Sequence, residues 1–136
     1  RRGEDPGDGF YGMVFQDSDA YKWLEAAAYA VADKPDENLE RQADELIDLI
    51  ADAQDKDGYL NTFFTIKDTE KRSTTLLEGH ELYCSGHLIE AACTYYEATG
   101  KRKLLDIAVK NAECIYDRFV KIPRVFLDTP RSNLPC

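Results

Sequence analysis

The sequence of 136 residues lacks the patterns that would place it near a membrane or on a nucleic acid. It has no apolar run of roughly 18 residues, the least that a membrane-spanning helix needs, and no basic segment followed by an apolar leader. Its 26 acidic residues outnumber its 17 basic residues, so the formal net charge is −9. Nucleic-acid-binding domains need a basic patch that displaces counterions. We therefore expect no membrane partner and no nucleic-acid partner.

Cysteine is scarce and scattered, at Cys84, Cys93, Cys114 and Cys136. Small disulfide scaffolds carry a denser framework, and the sequence has no C-x-x-C pair of the kind that zinc knuckles and thioredoxin-type sites use. The spacing predicts free thiols in a reducing compartment, and we expect a cytoplasmic location. The sequence also lacks a Ser-His-Asp set, a phosphate-binding loop and a dinucleotide-binding fingerprint.

What the sequence does contain is apolar residues at helical spacing over almost all of positions 18 to 119. The spacing predicts four long helices, which begin near Asp17, after Pro35, near His80 and at Arg102. Residues 59–65 are β-branched and aromatic, and they predict an extended connection or a single strand. We therefore expect an all-α fold in which residues 1–17 form an irregular lead-in and residues 120–136, which hold three of the five prolines, form an irregular tail.

The helical region contains an internal repeat. A shift of 65 residues places the segment 24–27 (LEAA) on 89–92 (IEAA), Leu39 on Leu104, and Pro35 on Gly100. Residues 18–119 are therefore predicted to form two helical hairpins in tandem. Because repeats of this kind need further units to cover their apolar faces, we expect this region to be part of a larger helical domain that can self-associate through its uncovered faces.

Two segments carry the residue types that chemistry needs. In the first, residues 80–87 (HELYCSGH), a helix would place His80, Cys84 and His87 on one face, as a metal site requires. The alternative is that these side chains only cap the helix and pack. In the second, residues 15–23, Asp17, Asp19 and Trp23 suit a sugar, since carboxylates bind hydroxyl groups and an aromatic face stacks on the ring. The alternative there is capping and a core tryptophan.

Several segments, taken in order, resemble the β-L-arabinofuranosidases of glycoside hydrolase family 127. They are 12–25 (GMVFQDSDAYKWLE), 53–54 (AQ) with 57–62 (DGYLNT), 80–83 (HELY), 86–92 (GHLIEAA) and 99–101 (TGK). The resemblance extends from about Gly12 to Phe119. It implies that the two hairpins belong to an (α/α)6 barrel, which β-sandwich domains follow in much longer chains. It also implies an enzyme that releases terminal β-L-arabinofuranose from glycans with retention of configuration.

The resemblance places the catalytic machinery of the family outside this chain. That machinery is a zinc-bound cysteine thiolate as the nucleophile, with glutamates as acid/base and metal ligand, and none of the four cysteines here matches it. We therefore expect no catalytic residue, no bound metal and no cofactor in this chain, which would be an inactive fragment of a zinc-dependent enzyme. His80 matches a family histidine that contacts the sugar, and Asp17, Asp19 and Trp23 match positions near the same end of the barrel, so these four form the predicted substrate-binding set.

The repeat is also compatible with a second function. Tandem helical hairpins also build small binding modules, which use a concave face to hold a partner. The sequence leaves this alternative open.

Overall fold

The computed structural model of the chain describes residues 12–121. Within these residues the structure is helical and contains no strand, and none of the helices is long and apolar enough to cross a membrane. The helices are α1 (Asp17–Asp33), α2 (Glu37–Ala53), α3 (Thr62–Ile66), α4 (Leu76–Gly79), α5 (Glu81–Thr99) and α6 (Lys103–Phe119), with a 3-10 turn at Thr69–Lys71. The all-α prediction is confirmed.

Two hairpins, α1 with α2 and α5 with α6, are closed by short turns of the predicted kind. In the first turn, the Asp36 side chain accepts hydrogen bonds from the backbone N–H groups of Asn38 (2.9 Å) and Leu39 (3.1 Å) and so caps the start of α2. In the second turn, Gly100 has a left-handed backbone with φ of 73°, which ends α5. The tandem hairpins that the repeat predicts are therefore present.

The prediction of a strand or extended connection at residues 59–65 is wrong for most of that segment, because α3 begins at Thr62. The buried side chain of Asn61 accepts a hydrogen bond from the backbone N–H of Phe64 (3.0 Å), and this cap starts the short helix despite its β-branched and aromatic residues. The predicted lead-in and tail lie mostly outside the described residues, at positions 1–11 and 122–136. Their described ends, residues 12–16 and 120–121, lie outside the helices, as predicted.

The first helices of the two hairpins, α1 and α5, form the main contact of the fold. Lys22 meets Tyr83 and Glu25 meets His87, so both helices advance in the same direction. Their shared surface is apolar and fully buried, with Leu24, Ala28, Leu88 and Ala91 among its members. We call this surface the α1–α5 joint.

The second helices, α2 and α6, lie against the outer sides of α1 and α5 and contact each other more lightly. Lys101 pairs with Glu40 (2.5 Å) and Asp44 (2.6 Å), and Lys103 pairs with Asp48 (2.6 Å). These exposed pairs orient the two hairpins but add little to the free energy of unfolding, since such pairs contribute about 0–1 kcal/mol each. The α1–α5 joint therefore holds the hairpins together.

The connection between the hairpins, residues 54–80, begins with a turn that only glycine can make. Gly58 has a φ of 87°, and a Cβ atom placed there would lie 2.2 Å from the backbone oxygen of Lys110. The carbonyl oxygen of Gly58 accepts hydrogen bonds from the side-chain amides of Gln54 (3.1 Å) and Asn111 (3.2 Å). The turn is thus clamped between the end of α2 and the middle of α6.

Candidate functional site

His80 stands directly before α5 in a strained conformation. Its backbone is left-handed, with φ of 54° and ψ of 20°, which is rare for a residue other than glycine. Its ring nitrogen Nδ1 lies 2.8 Å from the backbone oxygen of Glu78. Because a carbonyl oxygen only accepts hydrogen bonds, this contact places a proton on Nδ1 and leaves Nε2 for another partner.

The His80 ring is part of a row of rings at the end of the molecule where α1 and α5 begin. The centroid distances along the row are 5.5 Å from Phe15 to His80, 6.0 Å from His80 to Tyr83 and 4.7 Å from Tyr83 to His87. Lys22 approaches the same row from α1, and its ammonium donates a hydrogen bond to the hydroxyl oxygen of Tyr83 (2.7 Å). We call these five residues the ring row.

The ring row is partly exposed and carries polar groups that can bind hydroxyls. Phe15 and Tyr83 are exposed, while His80 and His87 are half-buried. The hydrogen bond to Tyr83 raises the pKa of Lys22, so its ammonium stays charged at neutral pH. Within one surface the row therefore offers aromatic faces, a cation and the Nε2 atom of His80, which has no hydrogen-bond partner among residues 12–121.

Asp17, a predicted substrate-binding residue, connects two helices. Its carboxylate accepts hydrogen bonds from the Thr62 backbone N–H (2.7 Å) and the Thr62 hydroxyl (2.5 Å). These bonds fasten the start of α3 to the start of α1. Any contact of Asp17 with a sugar would be made by a carboxylate that already holds this bridge, and its substrate-binding role stays a prediction.

Asp19 and Trp23, the other two predicted residues on α1, lie one helical turn apart on a shared face. Both are exposed, and Trp23 keeps 39% of its surface accessible. Among residues 12–121, no hydrogen bond, ion pair or ring contact joins either of them to His80. The structure thus groups His80 with the ring row and places Asp19 and Trp23 on a neighbouring strip of α1, where their roles also stay predictions.

A buried polar network supports the start of α5 beneath His80. The Glu81 carboxylate is buried and accepts hydrogen bonds from the Tyr59 hydroxyl (2.6 Å) and from the Ser73 backbone N–H (2.9 and 3.0 Å to its two oxygens). Its place in the first turn of the helix is favourable, because the helix dipole attracts negative charge there. Burial, and then Glu81 itself, raise the pKa of Tyr59, so its hydroxyl remains a donor.

Two arginines complete this network around the Tyr59 ring. The guanidinium carbon of Arg72 lies 4.3 Å from the ring centroid and that of Arg118 lies 5.2 Å from it. Arg72 also binds Asp55 (2.7 Å), with both side chains largely buried, and Arg118 binds Asp57 (3.1 Å). The network fixes residues 54–81 and thereby holds the strained backbone of His80 in place.

The metal site suggested by His80, Cys84 and His87 is not formed. His80 precedes the first residue of the helix, Glu81, and the ligand atoms of the three side chains do not come within 4.8 Å of one another. Cys84 is only 1% exposed and packs in the α1–α5 joint. Burial, and then the charge of Asp17, raise the pKa of its thiol to about 11, so Cys84 is protonated at neutral pH and is a poor metal ligand.

One other group within residues 12–121 could hold a metal ion, namely Glu25, His87 and Glu90, whose ligand atoms lie within 4.8 Å of one another. His87 Nδ1 lies 3.1 Å from Glu90 Oε2. The Glu90 side chain is 62% exposed, and carboxylates in such positions are common without a metal. The group contains no cysteine, so the described residues do not fit the cysteine–glutamate zinc site that the resemblance implies.

Sequence reasoning missed Lys22 and Tyr83 as members of the site. Lys22 lies in segment 15–23 and Tyr83 in segment 80–87, but neither has a distinctive spacing of its own. The 65-residue shift could have indicated Lys22, since it aligns Lys22 with His87 and so places polar residues at the same level of α1 and α5.

Comparison with known proteins gives one consistent result. Residues 3–125 match the family described as beta-L-arabinofuranosidase, GH127 catalytic domain. The chain is 48% identical over 116 residues to a non-reducing end beta-L-arabinofuranosidase from Bifidobacterium longum subsp. longum, covering 82% of this chain and 18% of that protein.

Two solved structures agree with this match. A GH127 beta-L-arabinofuranosidase from Geobacillus stearothermophilus T6 superimposes with a TM-score of 0.77 at 59% identity, over 78% of this chain and 17% of that one. Another GH127 beta-arabinofuranosidase superimposes with a TM-score of 0.74 at 39% identity, over 81% of this chain and 19% of that one. This chain thus spans less than a fifth of the length of these relatives. The fold, the order of its motifs and these matches show that the chain belongs to glycoside hydrolase family 127.

Proposed function

We propose that residues 12–121 form two of the six hairpins of an (α/α)6 barrel that cleaves terminal β-L-arabinofuranose from glycans. In this proposal the chain supplies part of the sugar-binding wall, and the 136-residue chain alone does not hydrolyse the glycosidic bond. The observation that carries the proposal is His80, a strained residue with a free Nε2 in a partly exposed row of rings. Strain of this kind persists where the surrounding structure enforces it, and it is concentrated at functional sites.

The chemistry of the ring row suits a furanose. The free Nε2 of His80 can accept a hydrogen bond from a sugar hydroxyl, and the Lys22 ammonium can donate one. The exposed faces of Phe15 and Tyr83 can pack against the C–H groups of the ring. The contacts define orientation and leave the glycosidic bond itself untouched.

The family resemblance places the groups that cleave the bond outside residues 12–121. A retaining glycosidase needs a nucleophile and an acid/base carboxyl about 5 Å apart on either side of the bond. The buried Glu81 carboxylate is occupied by Tyr59 and Ser73, and the Cys84 thiol is buried and protonated. We therefore assign cleavage to residues outside 12–121 and derive no step from a zinc ion.

A chimera tests the proposal. Residues 12–121 would replace the matching segment of the Geobacillus relative, which is 59% identical, and release of L-arabinose from an aryl β-L-arabinofuranoside would be measured. We expect an active chimera whose kcat/KM falls at least about 100-fold in His80→Ala, as expected when a group that positions the substrate is lost. The matched control is Cys93→Ala, an exposed residue of α5 outside the ring row, which should leave kcat/KM unchanged.

Two outcomes would contradict the proposal. An inactive but folded chimera would show that this segment cannot serve as part of the barrel. An active chimera in which His80→Ala matches the parent would remove His80 from the site while leaving the family function intact.

The alternative of a small helical binding module is favoured by the continuous core of the two hairpins, in which buried residues of all four long helices pack together. A module of this kind should unfold in one cooperative transition without any further hairpins. It would be distinguished from the barrel function by a chimera that folds but never releases sugar.

A further inference from the structure

His87 is the member of the ring row to which the proposed function gives no contact with the sugar. It is half-buried, while its neighbour in the row, Tyr83, keeps 44% of its surface exposed. The two residues lie four positions apart on α5 and therefore share a face of the helix. Their ring centroids are 4.7 Å apart and their planes are at 85°, which is a favourable geometry for two aromatic rings. The ring of His80 is farther from Tyr83, at 6.0 Å.

Tyr83 depends on its neighbours for a fixed orientation, because an exposed side chain exchanges rapidly between rotamers unless contacts hold it. Lys22 holds the far end of the side chain, since its ammonium donates a hydrogen bond to the hydroxyl oxygen (2.7 Å). That oxygen lies on the axis about which the ring turns, so this bond does not set the direction of the ring face. The nearly perpendicular ring of His87 packs against the Tyr83 ring itself and restrains the rotation.

His87 is held in turn by carboxylates from both helices of the α1–α5 joint. Its buried Nδ1 atom lies 3.1 Å from Oε2 of Glu90 on α5, at an angle that forms no hydrogen bond. The ligand atoms of Glu25 on α1, His87 and Glu90 all lie within 4.8 Å of one another. Carboxylates attract the polar N–H group of an imidazole, so the position of the His87 ring depends on α1 as well as on α5.

We propose that His87 is a positioning residue for the sugar: it sets the orientation of the Tyr83 ring, whose exposed face contacts the furanose. The inference rests on the proposed function, because it concerns how the ring row binds its sugar. His87 acts through Tyr83 and makes no contact with the substrate. The residues act in series, in that Glu25 and Glu90 hold His87, and His87 holds Tyr83.

This role has a kinetic signature. The face of Tyr83 contacts the sugar ring and not the glycosidic bond, so the contact is equally strong before and during cleavage. Loss of an interaction that is equal in the two states raises KM and leaves kcat unchanged. A residue that only stabilises the fold would behave differently, since its loss reduces the amount of active enzyme and so lowers the apparent kcat without changing KM.

The test uses the chimera of residues 12–121 in the Geobacillus relative, with KM and kcat measured for an aryl β-L-arabinofuranoside. His87→Ala should raise KM at least about fivefold and leave kcat within about twofold of the parent. His87→Phe keeps an aromatic ring beside Tyr83 and should return KM to within about twofold of the parent. The matched control is Thr94→Ala, at a half-buried residue two turns further along the same face of α5, and it should leave both constants unchanged.

A double variant tests whether His87 acts through Tyr83. Tyr83→Ala alone should raise KM by at least as much as His87→Ala does. Adding His87→Ala to Tyr83→Ala should raise KM by less than about twofold more, because the ring that His87 positions is already gone. A direct contact of His87 with the sugar would instead make the two effects multiply.

The outcomes separate this inference from the proposed function. An unchanged KM in His87→Ala, a loss confined to kcat, a His87→Phe variant as weak as His87→Ala, or multiplying effects in the double variant would each overturn the role of His87. If His80→Ala still lowers kcat/KM in that same chimera, the proposed function stands. A folded chimera without activity would overturn the proposed function and this inference together.

Discussion

Two regions hold the start of α5 in position, and they do so by different physical means. The α1–α5 joint is dry and apolar, and it depends on small residues that let two helices approach closely. The connection at residues 54–80 is polar, and it depends on the buried carboxylate of Glu81, on two guanidinium groups and on a tyrosine between them. The joint sets which helices are neighbours, while the connection sets the backbone of the single residue His80.

The difference shows where a fold of this type can tolerate change. An apolar joint accepts other apolar side chains of similar volume, since packing has little directional preference. A buried polar network loses stability when any one member is removed, because the remaining groups keep their desolvation cost without their partners. We therefore expect substitutions in the joint to affect stability throughout the molecule and substitutions in the network to affect mainly the surroundings of His80.

The largest expected effect on stability is that of Leu24→Ala in the α1–α5 joint. Leu24 is 0% exposed, and its removal leaves a cavity between α1 and α5. We expect the free energy of unfolding to fall by about 3 kcal/mol and the melting temperature to fall by roughly 15 °C. Thermal unfolding followed by circular dichroism measures both quantities.

Leu77→Ala is the control for this substitution, since Leu77 is 90% exposed and its truncation should change the free energy of unfolding by less than about 0.5 kcal/mol. Equal losses in the two variants would contradict the assignment of the joint as the main source of stability.

The second largest expected effect on stability is that of Glu81→Gln in the polar network around Tyr59. The neutral amide keeps the shape of the side chain but weakens the bonds from Tyr59 and Ser73, and we expect a loss of about 2 kcal/mol. Hydrogen exchange should increase most at residues 73–84 and only slightly in α2. Exchange that increases uniformly along the chain would show that the network has no local role.

A double-mutant cycle sharpens this result. Tyr59→Phe removes the hydroxyl that Glu81 accepts, so Glu81→Gln and Tyr59→Phe should be non-additive by at least about 0.5 kcal/mol. Leu24→Ala and Tyr59→Phe concern different regions, and their effects should add.

The helices and the face that α1 buries in the joint could be predicted from the sequence, and the network could not. Apolar spacing predicts Tyr21, Leu24 and Ala28 on one face of α1, because helices bury residues three and four positions apart, but it does not say which helices become neighbours. The network joins Tyr59, Arg72, Glu81 and Arg118, which are distant in the chain and have no shared period. Only the folded connection brings them together.

The candidate site also has parts that the sequence predicts and parts that it does not. The family resemblance predicts that His80 contacts the sugar, but nothing in the sequence predicts its left-handed backbone, since the helical pattern places a helix start at that residue. The expected metal site of His80, Cys84 and His87 is not formed, since Cys84 is buried in the α1–α5 joint. The cap formed by Asn61 also escaped prediction, because its effect competes with the β-branched and aromatic residues that follow it.

The smallest expected effect concerns the pH dependence of the connection. The Tyr59 backbone N–H and then Arg118 bind the Asp57 carboxylate and lower its pKa below the usual 3.8. The carboxylate is thus more acidic in the folded state than in the unfolded state. Its stabilisation is present in full above about pH 4 and is lost as the pH falls through the lowered pKa.

Asp57→Asn should therefore reduce the free energy of unfolding by less than about 1 kcal/mol at pH 7, and this difference from the parent should shrink below about pH 4. Urea unfolding at pH 7 and at pH 3 measures it. Asp52→Asn, at an exposed residue near the end of α2, is the control and should show no such difference. A gap between Asp57→Asn and the parent that widens in acid would contradict the assigned sign.

We propose that the chain supplies a binding wall of a sugar-cleaving barrel and that the cleaving groups lie outside residues 12–121. The most direct test of this proposal is to assay the purified 136-residue chain and the Geobacillus chimera side by side for release of L-arabinose from an aryl β-L-arabinofuranoside. We predict release by the chimera and none above the buffer rate by the chain alone. Release by the chain alone, at a rate that purification does not remove, would contradict the claim.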